Sequence, residues 1–147
     1  MLNLTETEKA YLAGLFDGEG SIGFYLTRTE SFTATLCITN TDFRIMTWLQ
    51  LHIPFGTIYS KAPNNNRRPA WGWKTSKREH VVEFLEAIKS YLVIKLDQAI
   101  LLLSHLNAEQ KIIRTKSEKL TASMTKTRTE VGLELKRLKY VDISSIH

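Results

Sequence analysis

The sequence predicts an α+β fold: one four-stranded antiparallel sheet with helices on one face, followed by additional C-terminal helices. Two patterns lead there. Apolar and polar residues alternate, as in half-buried strands, over residues 21–30, 32–39, 55–62 and 71–75. Before, between and after these stretches, apolar residues recur at helical spacing. The order is helix, strand, strand, helix, strand, strand, helix, then helices, which a sheet covered on a single face accommodates. The 147 residues suit one domain, with a core over about residues 6–108 and a helical part over about 109–147.

The first element organises the rest. Thr5 and Glu8 have capping-box spacing, so a helix starts near residue 6. Apolar residues then run almost unbroken to Phe16, which predicts a helix buried on more than one side. Ala10, Gly14 and Gly18 lie four apart, a row of small residues that lets another helix approach closely. Glycine inside a helix costs roughly 1 kcal/mol, so Gly14 implies a packing gain that offsets it. The segment closes on Asp17-Gly18-Glu19-Gly20. A symmetry mate packed on this helix brings two Glu19 carboxylates together, a repulsion that a divalent cation relieves. The plainer reading is a buried helix–strand hairpin with a glycine-rich turn.

The first strand turns Ile22, Phe24 and Leu26 one way and Ser21, Gly23, Tyr25, Thr27 and Thr29 the other. The second repeats this with Phe32, Ala34, Leu36 and Ile38 against Thr33, Thr35, Cys37 and Thr39. A helix starting near Asn40-Thr41-Asp42 carries Ile45, Met46, Trp48, Leu49 and Ile53 and stops at Pro54. The third strand presents Tyr59 and Lys61 on one face, and the fourth presents Gly72 and Lys74 opposite Trp71 and Trp73. Ser76 and Glu79 suggest a second capping box, before a helix striped with Val81, Val82, Phe84, Leu85 and Ile88. A linker over 92–95 leads to a helix from Asp97 to about Leu106, with Ile100, Leu101, Leu103 and Leu106 inward. Residues 109–128 read as loosely packed or as short helices, and a last helix runs from about Thr129 to Lys139. The sheet face left free then carries Tyr25, Thr27, Thr33, Thr35, Thr39, Tyr59, Lys61 and Lys74. A curved sheet with such a face can lie in the DNA major groove.

Composition narrows the class. The apolar fraction is 43% and the charged fraction 24%, normal for a globular protein. The single Cys37 excludes an internal disulfide and a cysteine-based zinc site, and the four histidines form no ligand pattern. No signal peptide is visible, and the apolar run Ile100–Leu103 is too short to span a bilayer, so an intracellular protein with no membrane partner is expected. Net charge is +5, and no acidic residue falls between Asp42 and Glu79. That interval holds Arg44, Lys61, Arg67, Arg68, Lys74, Lys77 and Arg78. A solvated face usually mixes signs, so a one-sign interval favours a polyanion.

The string Leu12-Ala13-Gly14-Leu15-Phe16-Asp17-Gly18-Glu19-Gly20 resembles the signature of the LAGLIDADG homing endonucleases. Phe16 stands for an aliphatic residue, Gly18 for another small one, and Glu19 for the usual second aspartate. The single motif without an internal repeat is similar to the homodimeric members, whose αββαββα core agrees with the element order above. The resemblance runs from about Tyr11 to Leu106. It implies a site-specific endonuclease that cuts both strands of a long pseudo-palindromic DNA site, leaves 3′ overhangs and promotes intron mobility.

Residue by residue, the resemblance makes Glu19, Asn40, Arg44 and Lys95 catalytic. It makes Glu19 and the Gly18 carbonyl ligands of Mg2+, with Mn2+ a possible substitute and Ca2+ binding without cleavage. The dimer interface takes in Ala10, Gly14, Asp17 and Gly18. DNA contacts fall on the free-face residues together with Thr29 and Cys37, and on Arg67, Arg68, Lys111, Lys116 and Lys119. The expected partners are double-stranded DNA and a second copy, with no protein cofactor. The expected location is an organelle (chloroplast or mitochondrion) in a eukaryote and the cytoplasm otherwise. The alternatives are an intron RNA maturase on the same fold and a non-catalytic nucleic-acid binding protein.

Overall fold

The computed structural model describes residues 2–26, 32–61, 68–116 and 122–139, without the side chains of 26, 32, 111–116 and 122–125. Its elements are α1 (Glu6–Glu19), β1 (Gly20–Leu26), β2 (Phe32–Asn40), α2 (Phe43–His52), β3 (Thr57–Lys61), β4 (Ala70–Thr75), α3 (Arg78–Ile88), α4 (Leu96–Lys116) and α5 (Ala122–Lys139). A short 3-10 turn, Lys89–Tyr91, follows α3. This is the αββαββα core with added C-terminal helices that the element order predicts.

The four strands form one antiparallel sheet in the order β1-β2-β4-β3. Gly20 pairs with Ile38, Cys37 with Lys74 and Tyr59 with Gly72. This register puts Ile22, Phe24, Ala34, Leu36, Ile38 and Trp73 on one buried face, where α1, α2 and α3 cover them. The expected parity therefore holds on every strand. Trp73 at the sheet centre packs on Phe84 of α3 and donates from Nε1 to the Phe55 carbonyl at 3.2 Å. Gly56 reaches φ +97° beneath its indole, where a Cβ would meet the ring at 2.2 Å. Only glycine fits that turn.

α1 opens on the expected capping box: Thr5 N donates to Glu8 at 3.0 Å and Glu8 N to Thr5 Oγ1 at 3.1 Å. It buries Leu12, Ala13 and Phe16, with Phe16 edge-on to Phe84. Within one chain it is buried on this face only, not on several, and Ala10, Gly14 and Gly18 lie exposed.

Three other expectations change. The second capping box does not form; α3 starts after Lys77 without a side-chain cap, and Ser76 Oγ instead lies 3.1 Å from Thr35 Oγ1 across the sheet. α4 starts at Leu96 and runs on to Lys116, and α5 begins at Ala122, so both helices extend into the stretch expected to be loose. On α4, Leu103 and Leu106 turn inward as expected and Leu101 packs partly buried against the core, but Ile100 does not. Ile100 is 51% exposed, while Ala99, Leu102, Leu103 and Leu106 are buried. That set, three and four residues apart, is a regular helical stripe. It continues through His105 and Glu109.

Glu109 is the buried carboxylate of this stripe. Only 4% exposed, it meets Arg78 Nη2 at 3.0 Å and Arg128 Nη2 at 3.0 Å, with a second bond from Arg128 Nε. His105 Nε2 lies 2.8 Å from its Oε1. A charge this deep is tolerated only when paired, and here one carboxylate joins α3, α4 and α5. Burial pushes the Glu109 carboxyl up, but His105 and Arg128 outweigh it and hold it at about 2. α5 adds Val131 and Leu135 to the core and lies along the β1 edge. No helix among the described residues is long and apolar enough to cross a membrane.

Candidate active site and nucleic-acid interface

The α1–β1 junction is the crowded point of the fold. Gly20 donates its N–H to the Phe16 carbonyl, and a Cβ there would come within 2.2 Å of the Phe16 ring. The chain thus leaves the helix and enters the sheet with no spare residue, which fixes where Glu19 stands. Glu19 is exposed at the C-terminal end of α1, a turn that carries no basic residue. A carboxylate there adds to the negative end of the helix dipole. Among the described residues it has no hydrogen-bond or ion-pair partner.

Asp17, two residues before it, is differently placed. Its Oδ2 accepts from Val93 N at 2.8 Å and its Oδ1 from Lys95 N at 2.9 Å. Its own carbonyl accepts from Lys95 Nζ at 2.7 Å. The Asp17 carboxylate is therefore committed inside its own chain, as the anchor of the linker over 92–95. Lys95 is only 9% exposed, with its ammonium 6.0 Å from the centre of the Phe16 ring. Burial pulls the Lys95 pKa down, Asp17 partly restores it, and Lys139 lowers it again. Nothing local in the sequence points to this anchor, because its partners are 76 and 78 residues apart.

Asn40 ends β2, two residues past the partner of Gly20, so it sits at the Glu19 end of the sheet. Its Oδ1 accepts from Asp42 N at 2.8 Å and shapes the entry to α2. Asp42 caps α2 by accepting from Arg44 N at 3.0 Å, and its carboxylate grips the Arg44 guanidinium through Nε and Nη2. That fork holds the Asp42 carboxyl down at about 2. Arg44 is otherwise 90% exposed. Asn40 thus ends β2 toward the α1–β1 junction with Arg44 just beyond it, Lys95 is tied to Asp17 two residues before Glu19, and Asp17 and Asp42 are the groups that hold Lys95 and Arg44.

The uncovered sheet face holds Tyr25, Thr33, Thr35, Cys37, Thr39, Tyr59, Lys61 and Lys74, as the alternation predicts. Lys74 Nζ stands 5.2 Å from the centre of the Tyr59 ring, and the Tyr59 pKa is raised by burial and then by the neighbouring Cys37. Cys37 is free and half-buried. Arg68 is exposed just before β4. Thr27, Thr29, Arg67 and Lys119 lie outside the described residues. So do the side chains of Lys111 and Lys116, whose backbone belongs to α4.

The fold has solved counterparts. It superposes on an archaeal intron-encoded homing endonuclease, I-Vdi141I, with a TM-score of 0.71 over 90% of this chain and 84% of that one, at 16% identity. The fold is that of the LAGLIDADG homing endonucleases. The homing endonuclease I-TnaI matches with a TM-score of 0.63 and 21% identity over 89% of this chain and 92% of its own. The LAGLIDADG homing endonuclease I-GzeII matches with a TM-score of 0.61 and 15% identity. The match takes in 94% of this chain but 47% of I-GzeII, so this chain spans about half of that longer one. No family model matches the sequence. No curated protein matches it either.

The donor set at Glu19 can be weighed against a divalent metal. Among the described residues, no group of three or more His, Cys, Asp or Glu side chains could hold an ion. Magnesium at a phosphate-transfer site needs less: one or two carboxylates, waters and the substrate phosphate. Glu19 supplies one carboxylate, at a helix end where the last carbonyls offer further hard oxygen atoms.

Proposed function

We propose that this chain is a site-specific, divalent-metal-dependent DNA endonuclease that works as a homodimer on a pseudo-palindromic duplex. The observation that carries this reading is Glu19: an exposed carboxylate without a partner among the described residues, at the negative end of α1, between a row of exposed small residues and a polar sheet face. Two copies joined along Ala10, Gly14 and Gly18 bring two Glu19 side chains to one axis. The scissile phosphates of the two strands then lie at the junction of the two sheets.

Each residue has a part. Glu19, with the Gly18 carbonyl, would hold Mg2+, which when bound activates water and stabilises the leaving oxygen. Lys95, whose Nζ donates to the carbonyl of Asp17 two residues before Glu19, sets a positive charge where negative charge grows on the phosphate. Arg44 keeps Nε and Nη2 on Asp42 and offers Nη1 to a phosphate. Asn40 orients solvent at the same end of the sheet. Lys61, Arg68 and the basic residues Arg67, Lys111, Lys116 and Lys119 supply salt-sensitive affinity for the backbone. Tyr25, Thr33, Thr35, Cys37, Thr39, Tyr59 and Lys74 face the base edges.

The test uses the purified chain and Glu19→Gln, each incubated with a randomised duplex library in Mg2+ and then in Ca2+, with the cut ends sequenced. The expected result is one pseudo-palindromic site cut in both strands by the unaltered protein in Mg2+ only. Glu19→Gln should bind that site without cutting it. Cleavage by Glu19→Gln at the unaltered rate refutes the assignment. Binding without cleavage by either protein leaves a nucleic-acid binder, and intron RNA becomes the next ligand.

A further inference from the structure

On the uncovered sheet face, two tyrosine rings lie down rather than stand up. A Cβ on Gly23 would sit 2.0 Å from the Tyr25 ring, and a Cβ on Gly72 would sit 2.3 Å from the Tyr59 ring. Each ring covers a glycine, an arrangement that restores packing where the sheet has no side chain. The Tyr59 pair differs in one respect: Lys74 Nζ stands 5.2 Å from the centre of that ring.

Lys74 is therefore a cation on a prepared platform. Its strand β4 is interior in the order β1-β2-β4-β3, with Cys37 paired on one side and Thr57 on the other. An interior position faces the floor of a groove, whereas the sheet edges and loop tips run nearest the phosphates. Lys61, at the end of the edge strand β3, has the second kind of place. The ring face attracts the ammonium and limits its wandering, so less freedom is lost when it meets a base.

We infer that Lys74, held over the Tyr59 ring on Gly72, reads a guanine at one position in each half of the DNA target. An ammonium only donates. In the major groove guanine alone presents two neighbouring acceptors, O6 and N7. Adenine sets an amino donor beside its N7, cytosine offers a donor, and thymine offers one acceptor beside a methyl group. Tyr59 is the positioning residue. The inference rests on the proposed DNA-binding function and on a two-fold target, so the guanine recurs at the symmetry-related position on the other strand.

The experiment is binding selection from randomised duplexes in Ca2+ with the unaltered protein, Lys74→Met, Tyr59→Phe and Tyr59→Leu. If the unaltered protein selects no site, the DNA-binding function itself fails. If it selects a site, Lys74→Met should lose preference for guanine at one symmetric pair of positions by about 10- to 100-fold and keep the others. Tyr59→Phe, which keeps the ring, should retain that preference, and Tyr59→Leu should weaken it. A uniform loss for Lys74→Met across all sequences, with the salt dependence reduced by about one counterion, makes Lys74 a phosphate contact and overturns the inference. Equal loss in both Tyr59 variants overturns the role of the ring.

Discussion

Asp17 and Lys95 show how one carboxylate can set the charge of a site without joining it. Asp17 satisfies two backbone N–H groups of the linker, and its carbonyl takes the lysine ammonium. Lys95→Met should leave folding and DNA affinity within a few-fold and slow cleavage by about 10²- to 10³-fold, as for loss of one donor to a transition-state oxyanion. Single-turnover cleavage at saturating enzyme measures this. The pH dependence has a definite sign. Burial favours the neutral amine, so Lys95 loses its proton at lower pH than an ordinary lysine, while the Asp17 charge opposes that loss. Cleavage should therefore fall on an alkaline limb below the usual lysine range. Asp17→Asn removes the opposing charge and should move that limb to still lower pH. A limb that stays in place in Asp17→Asn argues that Lys95 is not the titrating group.

At the scale of elements, α4 and α5 dock through a buried charge that also takes in Arg78 of α3. Burial raises the Glu109 carboxyl, but His105 and Arg128 outweigh it and hold it at about 2 against 4.5 for the free group. A depressed carboxyl contributes stability that is present above the unfolded value and lost as pH falls toward the folded one. The docking of α4 and α5 should accordingly weaken between about pH 4.5 and pH 2. Glu109→Gln leaves the buried Arg128 and half-buried Arg78 guanidinium groups without their anion and should cost about 3–5 kcal/mol at neutral pH. Urea unfolding at pH 7 and pH 3 tests both: the gap between the variant and the unaltered protein should close on acidification. The same elements mark the limit of what the sequence revealed. α1 and the four strands were legible because their patterns are local: a capping box, a period of two, and Trp71 and Trp73 sharing a face. The exposure of Ile100 on α4 was not, because Ile100 to Leu103 are all apolar and any rotation buries something. Nor was the burial of Glu109, whose partners Arg78 and Arg128 are 31 and 19 residues away. The Asp17 anchor behind Lys95 likewise has no local signal, since its partners lie 76 and 78 residues away.

For the whole molecule, the proposed second copy would cover the side of α1 that the described residues leave open. α1 buries Leu12, Ala13 and Phe16 inward, and its opposite side has neither bulk nor cover: a Cβ on Gly14 or Gly18 would meet nothing within 4 Å. A glycine in such a place inside a helix weakens an isolated chain, since alanine there is better by roughly 1 kcal/mol. The two glycines make sense if close approach of a second helix offsets that cost. The two alternatives give opposite signs for one substitution series. If the chain acts alone, Gly14→Ala and Gly14→Leu both fit the open space and both raise thermal stability. If two chains pack along this row, Gly14→Ala is tolerated or weakens the dimer slightly. Gly14→Leu then separates the helices, abolishes the dimer and, because each copy holds only half of the paired Glu19 site, abolishes cleavage while the monomer stays folded. Sedimentation equilibrium with circular dichroism on the three proteins decides between them. A Gly14→Leu protein that remains a dimer and still cuts places the joining surface elsewhere, and with it the pairing of Glu19.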